Sequence, residues 1–190
     1  MEIEKIKQAN TKYVGKKIEY FEQIESTHLY AKTIAQQEES NGLLILADRQ
    51  TGGIGTKGRK WYTGKGKNIA MTIILKPNVL IEKLEGLTVK VAQWVQAIIQ
   101  ELYGYELQIK EPNDLYLANK KIGGILIEVN TIGEKINYLL ISMGFNVNEN
   151  GFPEEIRSIA TSLKNEYQKD FSREEIIVQL IEKIEKEMER

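Results

Sequence analysis

The sequence predicts one α/β domain, a mixed and largely antiparallel β-sheet flanked by helices. Three observations lead there. Short apolar runs of strand length alternate with amphipathic helical periods, two neighbouring runs are spaced to form a hairpin, and 190 residues without repeats or linkers are enough for one core. Residues 1–190 are therefore read as a single domain, with 1–12 as an N-terminal extension.

The elements follow in order. Lys17 to Ile24 (KIEYFEQI) alternates apolar and polar residues as a strand does. Ser26 or Thr27 is placed to cap a helix running to about Glu39, closed by Asn41-Gly42. Leu43 to Ala47 reads as a short buried strand, and Ile69 to Leu75 as a strand covered on both faces. Leu84, Leu87, Val91, Trp94, Val95, Ile98 and Leu102 recur at helical spacing, predicting one long helix that stops near Gly104. Leu107 to Lys110 is a short strand ending at Pro112-Asn113-Asp114. Ile122 to Val129 and Ile136 to Phe145 form a hairpin around Gly133. The run Leu139 to Met143 fits either a strand inside the sheet or the edge of a homodimer. Ser172 with Glu175 is a capping-box pattern opening a last helix, whose apolar face is Ile176, Ile177, Leu180, Ile181, Ile184 and Met188.

Composition excludes several function classes. Lysine and arginine number 26 against 27 acidic residues, so nothing global attracts nucleic acid or an anionic membrane, and anion recognition must come from local clustering. No cysteine is present and His28 is the sole histidine, which removes disulfides, thiolate chemistry and multi-histidine metal sites. His28 itself reads as a surface residue at a helix start. The charged N-terminus is no signal peptide, and no apolar run approaches the roughly 18 residues of a membrane span, making the cytoplasm the default location.

Such clustering occurs in Asp48 to Lys67 (DRQTGGIGTKGRKWYTGKGK), which interleaves six glycines with Arg49, Lys57, Arg59, Lys60, Lys65 and Lys67. Glycines let backbone N–H groups approach an anion, the cations neutralise it, and Trp61 offers a flat face for a purine. No GK[ST] follows, so this is not a Walker loop. On composition alone the segment reads equally well as a solvated surface loop. A second cluster joins Lys110-Glu111-Pro112-Asn113-Asp114 to Lys120-Lys121-Ile122-Gly123-Gly124. There Asp114 is suited to Mg²⁺ and Lys121 to a closely approached ligand, although a Pro-Asn-Asp turn with water-facing lysines has the same composition.

The succession of these pieces is more specific than any one of them. Ser26-Thr27, Asp48-Arg49-Gln50-Thr51, Gly58-Arg59-Lys60-Trp61, Lys110 with Pro112-Asn113-Asp114, Lys121-Ile122-Gly123-Gly124-Ile125-Leu126 and Gly144-Phe145-Asn146-Val147-Asn148 together resemble the biotin protein ligase family, from about Ile18 to the last helix. The resemblance implies a core related to class II aminoacyl-tRNA synthetases and to biotin and lipoate ligases. It implies a two-step reaction, in which biotin and ATP give biotinyl-AMP and the acyl group then passes to a lysine of a biotin carboxyl carrier protein. By the same resemblance Ser26, Thr27, Gln50 and Gly53 contact the biotin head, and Gly124 packs against it. Trp61 stacks the adenine and Asn146 bonds its edge. Lys57, Arg59 and Lys110 lie on the ATP side, and Asp114 is associated with Mg²⁺. Lys121 bridges the biotin carboxylate and the α-phosphate, so that Lys121, Lys110 and Arg59 carry the chemistry.

The chain also departs from the family pattern. Ile54 and Thr56 stand where the family has loop arginines, with Lys57, Lys65 and Lys67 the cations available to compensate, and Glu111 replaces a tryptophan. The family's C-terminal β-barrel and its DNA-binding winged helix have no counterpart in the pattern, so no nucleic-acid binding is expected. A lipoate-type ligase of the same fold and a non-catalytic biotin- or adenylate-binding module are the competing readings.

Overall fold

Ile69–Leu75, buried at all seven positions, is the third strand of a seven-stranded sheet, next to the central one. The structure is a computed structural model and describes residues 1–189. In chain order it contains α1 (Ile3–Lys7), β1 (Ile18–Phe21), α2 (Thr27–Ile34), β2 (Leu44–Ala47), β3 (Ile69–Leu75), α3 (Leu87–Tyr103), β4 (Gln108–Lys110), β5 (Asp114–Leu117), β6 (Lys120–Ile132), β7 (Lys135–Phe145), α4 (Glu154–Arg157), α5 (Leu163–Tyr167) and α6 (Arg173–Met188). The sheet order is β1-β2-β3-β7-β6-β5-β4, with β1 parallel to β2 and every other pair antiparallel. β7 is paired on both sides, so Leu139 to Met143 lies inside the sheet and not at an edge.

Because strand side chains alternate, the register divides the core in two. Leu44, Leu46, Met71, Ile73, Ile141, Met143 and Ile125 face α3 and α6 in the larger cluster. Ile45, Ile74, Tyr138 and Leu140 face Ala31 and Ala35 of α2 in the smaller one. Among the described residues, no helix is long and apolar enough to cross a membrane.

Two boundaries differ from expectation for local reasons. α2 stops at Ile34 instead of running to Glu39, since Gln37 is extended and the Lys76 ammonium draws the carbonyls of Gln36 and Gln37 out of the helical ladder. The long helix begins at Leu87 rather than Leu84, because Gly86 takes a left-handed conformation (φ +71°). Within residues 1–12, read as an N-terminal extension, Ile6 is fully buried in the main core beneath α6.

The N-terminal segment is tied to α6 by one carboxylate. Glu185, 5% exposed, accepts the backbone N–H groups of Lys12 (2.6 Å), Tyr13 (2.9 Å) and Val14 (2.9 Å). Burial opposes its ionisation, but the three donors outweigh burial and hold its pKa below the usual 4.5. A second tie joins α6 to the end of β2. Arg173, 8% exposed, donates to Asp48 Oδ1 (2.9 Å) and to the Asn68 carbonyl (3.2 Å), while the Tyr20 hydroxyl donates to Asp48 Oδ2 (2.6 Å). Burial, with the carboxylate beside it, pushes Tyr20 up to about 12.

Glu185→Gln should lower unfolding stability by about 1–3 kcal/mol at neutral pH, since a neutral amide cannot accept all three N–H groups. The sign with pH follows from the depressed pKa: the ionised group stabilises the fold above 4.5, and this is lost as the pH falls through the folded-state value. Urea unfolding at neutral and acid pH should therefore show the gap between wild type and variant closing in acid.

Candidate active site

The floor of the site is made by residues without side chains. Gly124 of β6 pairs with Gly144 of β7, and the Trp61 indole lies over the pair. A Cβ on Gly144 would sit 2.3 Å from Trp61 Cε2, so only glycine leaves room for the ring there. A β-bulge beside this floor aims a lysine into it. Asp114 pairs with Gly124 and Leu115 with Gly123, but Tyr116 then pairs with Lys121, leaving Ile122 as the extra residue. In unbroken alternation Lys121, two residues before Gly123, would share its core-facing side. The bulge, with Ile122 also buried in the core, lets Lys121 join Asp114, Tyr116 and Gly124 on the open side. Its ammonium lies 2.7 Å from Asp114 Oδ1 and 5.7 Å from the centre of the Trp61 ring.

The Gly-rich segment folds back on itself above this floor. Gly55 N donates to the Arg59 carbonyl (2.7 Å) and Trp61 N to the Gly53 carbonyl (2.8 Å), with Lys57 and Gly58 left-handed at the tip. Arg59 forks back onto Thr56, donating to its carbonyl (3.3 Å) and hydroxyl (2.9 Å). Farther along, Gly64 packs against the buried Glu149 carboxylate, which also accepts from Lys67 Nζ (3.2 Å). The loop is thus fastened to the segment after β7.

At the opposite end a chain of polar side chains runs inward. Gln50 Oε1 accepts from Thr27 N (2.9 Å) and the Thr27 hydroxyl (3.1 Å), and Gln50 Nε2 donates to Thr63 (3.3 Å). Thr72 donates to Thr27 Oγ1 (3.0 Å) and lies 2.8 Å from Ser142 Oγ. Ser142 Oγ is in turn 2.8 Å from His28 Nδ1. His28, expected at the surface, is 4% exposed: the first turn of α2 points its ring down onto β6 and β7. Burial pulls its pKa below 6.5, opposed by the nearby Glu128 carboxylate.

These parts enclose one cavity of about 850 Å³. Thr27, Gln50, Gly53, Arg59, Trp61, Asp114, Lys121, Gly124 and Asn146 from the predicted set line it, together with Arg49 and Lys60. Ser26, Lys57 and Lys110 do not. Ser26 is buried as the N-cap of α2, accepting from Leu29 N (3.4 Å). Lys57 is exposed at the loop tip, and the exposed Lys110 lies over the Tyr116 ring, 5.5 Å from its centre. The two lysines expected to converge are therefore separated, with Lys121 inside and Lys110 outside. Arg49, Arg59, Lys60 and Lys121 face a single carboxylate, Asp114, among the described lining residues, so the cavity favours an anion.

The sequence reading missed Phe152, Pro153, Ile156 and Ile159, which build the far wall. There Lys121 N donates to the Ile159 carbonyl (2.8 Å) and Thr161 N to the Lys121 carbonyl (2.9 Å). Phe152-Pro153, an apolar pair outside any periodic pattern, was the available signal. Two buried polar atoms of lining residues have no partner in the protein: Trp61 Nε1, a donor, and Asn146 Oδ1, an acceptor whose amide nitrogen is committed to the Thr161 carbonyl (3.0 Å). Asn146 is 3% exposed, so an orphan there is costly unless something entering the cavity completes it.

A family model described as the biotin/lipoate A/B protein ligase family matches residues 20–146. The chain belongs to that family. Among its relatives is the bifunctional ligase/repressor BirA of Bacillus subtilis, 36% identical over 155 residues, a match covering 80% of this chain and 48% of the relative. The chain thus spans about half the length of that curated relative. Two solved structures are also similar. A biotin protein ligase from Aquifex aeolicus in complex with biotin and ATP has a TM-score of 0.75 and 29% identity, covering 92% of this chain and 71% of that one. A biotin protein ligase from Leishmania major in complex with biotinyl-5-AMP has a TM-score of 0.72 and 25% identity, covering 90% and 75%. The mixed seven-stranded sheet with flanking helices is thus the fold of this ligase family.

In this family member the glycine floor makes a specific demand. Gly144→Ala should lift the Trp61 indole from the sheet, red-shifting its emission in a Trp94→Phe background as the ring gains water, and costing about 1–3 kcal/mol from overpacking. Unchanged emission would mean that the ring is not held by the glycine pair.

Proposed function

We propose that this chain activates biotin with ATP to biotinyl-5'-AMP and transfers the biotinyl group to a lysine of a biotin carboxyl carrier domain. The observation that carries the reading is the single cavity in which a cation-rich middle separates two differently built ends. One end is flat and apolar, with a free hydrogen-bond acceptor at Asn146. The other is a narrow array of hydroxyls and an amide around Thr27 and Gln50. A molecule that matches both is an adenylate of a carboxylic acid with a polar, cyclic head.

In this proposal adenine rests against Trp61, and its exocyclic amine donates to Asn146 Oδ1, satisfying the orphan acceptor. The biotin head meets Thr27, Gln50 and the backbone near Gly53, with its ring over Gly124. The acid group then lies between the ends, where Lys121, Arg59, Arg49 and Lys60 lower the repulsion between carboxylate and triphosphate. A carboxylate oxygen attacks the α-phosphorus while the bond to pyrophosphate breaks, and Lys121 holds the charge shared by acyl and phosphoryl oxygens. The acceptor lysine amine next attacks the acyl carbon, AMP departs, and the amine's surplus proton passes to water. No protein nucleophile is needed, in keeping with a chain that has no cysteine and whose one histidine is buried in a hydrogen-bonded chain.

Among the described residues there is no cluster of three or more acidic, histidine or cysteine groups for a metal. A single carboxylate suits a Mg²⁺ that would arrive with the nucleotide, and Asp114, paired here with Lys121, is the residue that would hold it. When bound, Mg²⁺ supplies charge neutralisation to the leaving pyrophosphate. Lys110, outside the cavity over Tyr116, is left as a rim cation.

Incubation with labelled ATP, Mg²⁺ and either biotin or lipoate tests the reading. Biotin-dependent pyrophosphate release is expected; release with lipoate alone, or biotin binding without release, would overturn it. Lys121→Ala should slow that release by about 10²–10³-fold while circular dichroism shows an unchanged fold. A near-normal rate would remove Lys121 from the chemistry.

A further inference from the structure

The hydroxyl chain beneath the polar end leads to a buried group with no part in the steps above. It passes from Gln50 through Thr27, Thr72 and Ser142 to His28, crossing from the loop after β2 to α2, β3 and β7. Beyond His28 it continues on β6, where Nε2 lies 3.2 Å from Glu128 Oε2, and Glu128 Oε1 lies 2.7 Å from the Lys32 ammonium on the next turn of α2. Glu128 and Lys32 are the charged groups that act on the ring.

Each hydroxyl has one proton to give, so the direction of the whole chain is set at the histidine. A doubly protonated ring donates from Nε2 to Glu128 and from Nδ1 to Ser142. Ser142 then donates to Thr72, Thr72 to Thr27, and Thr27 to Gln50 Oε1. That oxygen already accepts from Thr27 N, so both of its lone pairs are filled. A singly protonated ring keeps its proton on Nε2, facing the carboxylate, and Nδ1 becomes an acceptor. Ser142 now donates to His28 and Thr72 to Ser142, which takes the Thr72 proton off Thr27 Oγ1, while the Thr27 hydroxyl still donates to Gln50 Oε1. The lone pair of Thr27 Oγ1 that Thr72 had occupied is then free for a ligand. The biotin head is a cyclic urea with two N–H donors, and it needs acceptors there.

We propose that His28 is a positioning residue for the biotin head, acting through Ser142 and Thr72, and that the singly protonated ring frees Thr27 Oγ1 as an acceptor for a urea N–H group. The inference rests on the biotin reading above. Burial that keeps the ring neutral near pH 7 supports it. Ligand and proton compete: binding lowers the affinity of His28 for its second proton, and protonation weakens binding by the same factor.

The test is calorimetric titration of the intact chain with biotin from about pH 5 to about pH 8, with a thermal melt at each pH to confirm folding. Wild-type affinity should be level near neutrality and weaken in acid by up to about tenfold per pH unit, the limit for one linked proton. His28→Asn and His28→Gln should bind with affinity level across the range. Ser142→Ala is the decisive variant, because it keeps the titrating ring but cuts the chain: its affinity should also be level. Acid weakening that persists in Ser142→Ala would mean that His28 acts by charge alone, and would overturn the proposal. Because His28 is the sole histidine, its ring signals in NMR are unambiguous, and biotin should shift its titration to lower pH. A titration unmoved by saturating biotin would overturn the proposal while leaving the biotin reading intact. Absence of biotin binding at every pH would overturn both.

Discussion

The register of β6 against β7 is the constraint on which the cavity depends. It sets Gly124 opposite Gly144, and the absence of two side chains lets an indole lie flat on a β-sheet. The same face carries Leu126 opposite Ser142 and Glu128 opposite Leu140, so one pairing decides the aromatic floor, the buried hydroxyl and the carboxylate beside His28. A slip by one residue would exchange that face for Ile125, Ile127 and Met143, which now lie in the main core. Binding surface and core are two sides of a single hydrogen-bonded ladder.

Around this ladder the charges are arranged economically. The cavity holds its cations with a single carboxylate among its described lining residues, and two carboxylates tied to the last helix have donors of their own: Glu185 three backbone N–H groups, Asp48 Arg173 and Tyr20. Asp48 remains ionised below its usual 3.8 although burial opposes it, the two side-chain donors prevailing. It directly precedes Arg49 and Gln50 in sequence, which links the last helix to the cavity wall through a single turn of chain.

Much of the fold was legible because its periodicities are strong. Ile69–Leu75, the hairpin around Gly133 and the Ser172-capped helix were each readable from pattern alone, since burial on one or two faces writes itself into residue order. Boundaries set by single events were not: the end of α2 depends on a distant lysine, and the start of α3 on the dihedral of Gly86. At the site, composition pointed to Trp61 and Lys121, and the family resemblance added Asn146 and Lys110. Lys110 pairs with Asp114 and so shares the face of Lys121, but it sits on the outermost strand and does not line the cavity. His28 was misread for a related reason. Its partners Ser142 and Glu128 are more than ninety positions away, and no local rule signals a buried polar chain assembled across strands.

The bulge at Ile122 has a wider implication for how such a site can drift. The direction of the Lys121 ammonium is written in the irregular pairing rather than in the alternation of the strand. Were β6 to straighten with every residue kept, the cation would turn into hydrocarbon and the pocket would lose its central charge. Removal of Ile122 would instead restore even pairing and leave Lys121 opposite Tyr116, while taking a fully buried side chain from the core. Orientation of the charge and packing of the core are thus separable at this one position.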